Sequence, residues 1–170
     1  MNTTLCGDEC AISGYIADRR RGNNRAKGAV NQKASGKSEF DTDYEGFAGE
    51  MAFAKIMNVY PDFKISVRAG SADCVVNGVP VDVKTHPDYG EWNWLMVTVP
   101  ETPNESVDVY ALMVHTGRDF KFVGWCTREA IIQPGLVRTS IETRNGTKPL
   151  EAPAYCLLVR PGVLSTEEIR

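Results

Sequence analysis

Apolar and polar positions alternate most regularly on either side of Asn77-Gly78, in the stretch GSADCVVNGVPVDVKTH from Gly70 to His86. Asn-Gly between alternating apolar runs is the strongest local signal for a two-residue hairpin with a type I′ turn, because both turn residues take positive φ. That turn fixes a register in which Val76 faces Val79, Val75 faces Pro80, Cys74 faces Val81 and Asp73 faces Asp82. Side chains alternate between faces along a strand. Cys74, Val76, Val79, Val81 and Val83 therefore form a core face, and Asp73, Asp82 and Lys84 share the other.

Between Asp41 and Asn58 the period becomes helical, with Phe47, Ala54 and Met57 on one stripe widened by Met51 and Phe53. Asp41, Thr42 or Asp43 caps its start, and acids in the first turn suit the helix dipole. A shorter helix is predicted over residues 8–20, with Ile12, Tyr15 and Ile16 as its apolar side. Strands are predicted at 63–68, 93–99, 107–115, 119–126 and 154–160. Residues 85–90 read as a loop after Lys84, and 136–153 as loop or irregular β-structure. Thr127 caps a short helix, TREAII, and Ser165 to Glu168 carries a capping-box pattern that begins a last helical turn. The order helix, strand, hairpin, strands, helix predicts one α/β domain with a mixed central sheet flanked by helices.

The polar face of the hairpin carries the chemistry. Two like charges opposite each other on paired strands are destabilising. Lys84 supplies one compensating charge, and a divalent cation supplies more. Hard cations such as Mg²⁺ take one or two carboxylates and keep several waters for substrate. The competing reading is an exposed strand face with ordinary solvated charges. Glu50 lies on the apolar stripe of the 41–58 helix, where an unpaired carboxylate is costly and needs a partner. A cation held by Asp73 and Asp82 is such a partner. Gly46 and Gly49, poor helix formers, leave room beside Glu50 for close packing or substrate approach. Glu45, nearer the helix start and off the stripe, is the competing glutamate.

Charge and composition narrow the partners. A chain of 170 residues with 42% hydrophobic and 24% charged residues suits one globular domain. The net charge of −3 argues mildly against a protein that coats nucleic acid, yet residues 19–38 form a basic, Gly/Asn-rich stretch. Within it Arg19, Arg20, Arg21, Arg25, Lys27, Lys33 and Lys37 meet no acid. It reads either as a mobile arm that wraps a phosphate backbone or as a solvated linker. The domain organisation that follows is an N-terminal helix and basic arm over 1–40 and a core with a C-terminal β extension over 41–170. His86 shares the face of Lys84 if the strand continues, within reach of a bound nucleic acid. Trp92 and Trp94 offer either a base-stacking platform or ordinary packing. Five cysteines suit reduced thiols, and no second Cys or His pair stands at zinc spacing. No apolar run reaches the length of a membrane span, MNTTLCGDEC lacks the pattern of a secretory signal, and no P-loop or G-x-S-x-G pattern occurs.

Asp73, eight intervening residues and then Asp82-Val83-Lys84 resemble the D-x(n)-(D/E)-x-K core of the PD-(D/E)XK nuclease superfamily, with Ala72 in place of the name-giving Pro. EGFAGEMAFAK resembles the first core helix of phage-type members and places Glu50 as its glutamate. The likeness spans roughly residues 43 to 132. It implies a restriction-endonuclease-like fold and a phage- or mobile-element-type endonuclease that hydrolyses phosphodiester bonds, with DNA as partner. It also implies Mg²⁺, replaceable by Mn²⁺, held by Asp73, Asp82, the Val83 carbonyl and Glu50, with Lys84 orienting or deprotonating the attacking water. Arg19, Arg20, Arg21, Arg25, Lys27 and His86 are the expected nucleic-acid contacts. A homodimer, a bacterial host cytoplasm and no membrane partner complete the expectation. A catalytically silent nucleic-acid-binding module of the same fold is the alternative. A metal-dependent hydrolase of a small substrate is a third reading.

Overall fold

The computed structural model describes residues 1–26, 38–65, 72–99, 106–160 and 162–169. Within them the order is β1 (Asn2–Thr4), α1 (Gly7–Ala26), α2 (Glu39–Met57), β2 (Cys74–Val76), β3 (Val79–Pro87), β4 (Trp94–Thr98), β5 (Val109–Thr116), β6 (Asp119–Thr127), α3 (Arg128–Ile131), β7 (Val137–Thr143) and β8 (Gly146–Leu158). The fold is α/β and the main sheet is mixed. Its five strands run β1-β6-β5-β3-β2, with β3 and β5 parallel and the other neighbours antiparallel. A second, antiparallel sheet has the order β4-β8-β7.

β5 holds the centre because its run VYALMV is buried throughout, as a strand covered on both faces requires. On one face Val81, Val83, Val109, Ala111 and Met113 pack with Phe47, Met51 and Phe53 of α2 and Ile16 of α1. On the other, Tyr110, Leu112 and Val114 pack with Leu95 and Val97 of β4 and Ile131 of α3. The long helices thus cover one face only, and the second sheet with short α3 covers the other. The expected mixed sheet flanked by helices is present in this form, and the second sheet was not expected. Leu5 is fully buried in the first core and β1 pairs with β6, so residues before 40 contribute to the same sheet and core.

The hairpin forms as its turn residues require: φ is +50° at Asn77 and +85° at Gly78, and Cys74↔Val81, Val75↔Pro80 and Val76↔Val79 pair. Ser38 caps α2 by accepting from the Asp41 N–H at 3.0 Å, and Thr127 caps α3 from the Ala130 N–H. β3 does not stop at Lys84 but continues to Pro87 alongside β5. Residues 136–153 are largely β-structure with an irregularity: β7 turns through Arg144-Asn145 into a 13-residue β8, the register shifts between Arg138 and Ser140, and β8 takes in residues 154–158 of the expected last strand. No helical turn forms at 165–168, where Ser165 instead bridges to Trp125. Of the strand expected at 63–68, residues 63–65 are not in a strand and the rest lie outside the described residues.

α1 reaches Ala26, well past residue 20. Gly22 and Asn23 are weak helix formers, but tertiary contacts hold them: Asn23 donates to the Ile65 carbonyl and Arg20 to the Asp62 and Lys64 carbonyls. The buried stripe is Ser13, Ile16, Ala17 and Arg20, at helical spacing. Ile12 and Tyr15, the expected apolar side with Ile16, are exposed. No helix among the described residues is long and apolar enough to cross a membrane, and all five cysteines are free thiols.

Candidate active site

Asp73 stands one residue before β2. Its N–H donates to the Val81 carbonyl at 2.8 Å, and its Oδ2 accepts from the Val83 N–H at 2.8 Å. The ladder therefore ends at Cys74↔Val81, and Asp73 is drawn toward Val83 instead of standing square to Asp82. The expected direct Asp73/Asp82 pair is thus a diagonal neighbourhood. It remains an electrostatic one. Burial drives the Asp73 carboxyl well above the usual carboxylate range, and the charges of Glu50 and Asp82 push it the same way against Lys84 and the Val83 N–H.

Asp82 and Lys84 lie on the β3 face that also carries Tyr110 and Leu112 of β5, their register partners. Lys84 Nζ lies 2.7 Å from Asp82 Oδ1 and 3.0 Å from Oδ2. Burial acts to lower the Lys84 pKa, but Asp82, Asp73 and Tyr110 outweigh it and raise it. Lys84 is therefore an ammonium at neutral pH, suited to stabilising negative charge rather than to accepting a proton. The Tyr110 hydroxyl, raised by burial and by Asp82, belongs to the same neighbourhood.

Glu50 projects from α2 toward Asp73, whose pKa it raises. The helix comes this close because Gly49 has no side chain. A Cβ there would fall 2.7 Å from Thr85 Cβ and Cγ2 and closer still to Oγ1. Gly46 faces open space. Glu45, the competing glutamate, sits 3.8 Å from His115 Nε2, near the far ends of β3 and β5. The structure therefore brings Glu50 rather than Glu45 to Asp73.

One site residue escaped sequence reasoning in this role. Arg20, expected at the end of the helix and as a nucleic-acid contact of the basic stretch, instead turns inward from α1. Its Nη1 stands 3.0 and 3.3 Å from the two Glu50 oxygens, with both side chains about one-eighth exposed at 13% and 12%. Extending the buried stripe from Ser13, Ile16 and Ala17 by one helical step would have found it. The carboxylates are thus distributed: Glu50 to Arg20, Asp82 to Lys84, and Asp73 to a backbone amide. In keeping with that, no group of three or more His, Cys, Asp or Glu side chains among the described residues is gathered tightly enough to hold a metal. The donor type nevertheless suits a hard cation: Asp73 is a buried carboxylate, raised first by burial and then by the charges of Glu50 and Asp82, which both act on it.

The remaining expected contacts divide. Arg21 pairs with Asp18 at 2.6 Å and lies over Phe40, while Arg19 is exposed and pairs with no carboxylate among the described residues. The side chain of Arg25, and Lys27, Lys33 and Lys37 altogether, lie outside the described residues. His86 is not presented to a ligand. Its Nδ1 and Nε2 face the carbonyls of Pro87 and Trp94 at 2.6 and 3.1 Å, its ring stacks on Tyr89, and burial lowers its pKa. Trp94 donates to the Glu142 carbonyl and Trp92 lies under Arg160, so both serve the second sheet. Comparison with protein-family models, curated proteins and solved structures finds no match for this chain.

Proposed function

We propose that this chain is a magnesium-dependent nuclease that hydrolyses phosphodiester bonds in DNA, on a restriction-endonuclease-like core and with Mn²⁺ as substitute ion. The observation that carries the reading is that Glu50 from α2 and Asp82 from β3, the latter paired with Lys84, both act on the buried Asp73 carboxyl beside β2. Such a cluster is costly to keep for stability alone, because its carboxylates repel and one is deeply buried. A bound divalent ion supplies charge neutralisation at the phosphate and an activated water. Asp73 and Asp82 are its ligands in this reading, joined by the Val83 carbonyl and by Glu50, directly or through water. Lys84, as an ammonium, holds the phosphate oxygens and offsets the charge that develops on them. Arg19 and Arg21 on α1, with Arg25 and Lys27 beyond them, approach the DNA backbone.

A second reading has its own support. Arg20 and Lys84 already neutralise two of the carboxylates, as a catalytically silent DNA-binding module of the same fold would allow. Incubating the protein with plasmid, linear, single-stranded and branched DNA, with Mg²⁺ or with chelator, separates the two. Cleavage of any substrate that depends on Mg²⁺ supports the nuclease. Binding without cleavage under every condition supports the silent module.

A further inference from the structure

Resting on the metal-site reading above, we infer that Arg20 is a positioning residue of this site, which holds Glu50 in place and competes with a bound cation for its carboxylate. The guanidinium is pinned on all sides. Nε donates to the Lys64 carbonyl at 3.2 Å, Nη2 to the Asp62 carbonyl at 2.5 Å, and Cζ lies 4.4 Å from the Phe47 ring centroid. Only Nη1 is left for Glu50, and it straddles both carboxylate oxygens. A straddling donor takes the inner lone pairs of the two oxygens. A cation held by Glu50 would share that carboxylate with the Arg20 charge.

The same anchors give Arg20 its orienting role. Residues 62–65 lead from α2 toward the segment that ends at Asp73, and Arg20 joins that connector to Glu50 through one rigid planar group. The Asn23 contact to Ile65 reinforces the clasp. Lysine keeps the charge but not the fork, which needs three nitrogens in one plane. Losing Arg20 therefore has two separable effects: the carboxylates attract a cation more strongly, and Glu50 is less well placed for turnover.

Mn²⁺ affinity of the full-length, DNA-free protein, read by calorimetry and by electron paramagnetic resonance, tests this. Arg20→Met binds Mn²⁺ at least about fivefold more tightly than wild type, since a unit charge is removed within a few ångströms. Arg20→Lys binds close to wild type, and both variants cleave more slowly at saturating metal. A defect that was only structural would weaken Mn²⁺ binding. Equal or weaker binding by Arg20→Met overturns the inference while leaving the nuclease reading intact. Absence of Mn²⁺ binding by every protein overturns both. Should Arg20→Met fold poorly, hydrogen exchange of wild type decides. Coupling between sites is reciprocal, so Mn²⁺ speeds amide exchange in residues 16–23, and unchanged exchange there overturns the competition.

Discussion

Replacing Asp73 by asparagine leaves the shape of the site nearly unchanged and removes its most strained charge. The new amide oxygen still accepts from the Val83 N–H, and the amide N–H₂ group faces the Asp82 side. Asp73 is only 9% exposed, and burial, Glu50 and Asp82 all raise its pKa. A raised carboxyl pKa contributes stability below the unfolded value, about 3.9, and loses it as pH rises toward the folded value. In chelator, Asp73→Asn and wild type should therefore melt together near pH 4 and separate as pH rises, with the variant more stable. The gain at pH 7 is about 0.2–1 kcal/mol, the scale of a like-charge cross-strand pair, or roughly 1–4 °C in Tm for a chain of this size. Asp82→Asn should behave in the opposite sense. It strips Lys84 of its partner at 2.7 Å, and with the Lys84 side chain 34% exposed the loss is at most about 1 kcal/mol. Millimolar Mg²⁺ should reverse the order of wild type and Asp73→Asn, because ligand binding to the folded state alone stabilises by mass action. Thermal melts from pH 4 to 8, in chelator and in Mg²⁺, supply the numbers. A variant destabilised at every pH, or a difference that does not vary with pH, would refute the electrostatic account of Asp73.

Three further outcomes follow from the packing. Glu50→Gln should weaken Mg²⁺ binding and slow cleavage by about tenfold or more, with Glu45→Gln close to wild type in both; titration calorimetry and initial rates check the ranking. Arg19→Ser with Arg21→Ser should weaken DNA binding and reduce the slope of log affinity against log salt by up to about 2, roughly one unit for each phosphate that is no longer neutralised; anisotropy titrations at several salt concentrations read it. Gly49→Ala should cost about 1–3 kcal/mol in chemical denaturation, since the methyl group meets Thr85 on a strand that cannot retreat.

The hairpin and its core face were legible because an Asn-Gly turn and a two-residue period leave one register open. α2, its inward glutamate and the close approach at Gly49 were legible from helical spacing and glycine placement. The end of α1 was not, because Gly22 and Asn23 break a helix by local preference and are held only by contacts to residues 62–65, about forty positions away in sequence. Arg20, last residue of the expected helix and also counted in the basic stretch, had its inward face missed because the apolar side was placed on Ile12, Tyr15 and Ile16, of which only Ile16 is buried. β7 and β8 were hidden for a related reason. Their strands are half-exposed and carry two prolines, Pro149 and Pro153, inside β8, so pairing rather than composition defines them. The displacement of Asp73 from the ladder belongs to the same class. It depends on where the Val81 carbonyl and Val83 amide point, and the sequence states neither.

The central claim is that Asp73, Asp82, Glu50 and Lys84 form one hydrolytic site, and Lys84→Ala tests it most directly. Single-turnover cleavage of labelled DNA in Mg²⁺ should fall by a factor of about 100 or more when the ammonium proposed to hold the phosphate is removed. DNA affinity, measured in Ca²⁺ or chelator, should stay within about threefold of wild type, because one phosphate contact among several is a small share of binding. Cleavage by Lys84→Ala at the wild-type rate, or absence of Mg²⁺-dependent cleavage by wild type itself, would contradict the account.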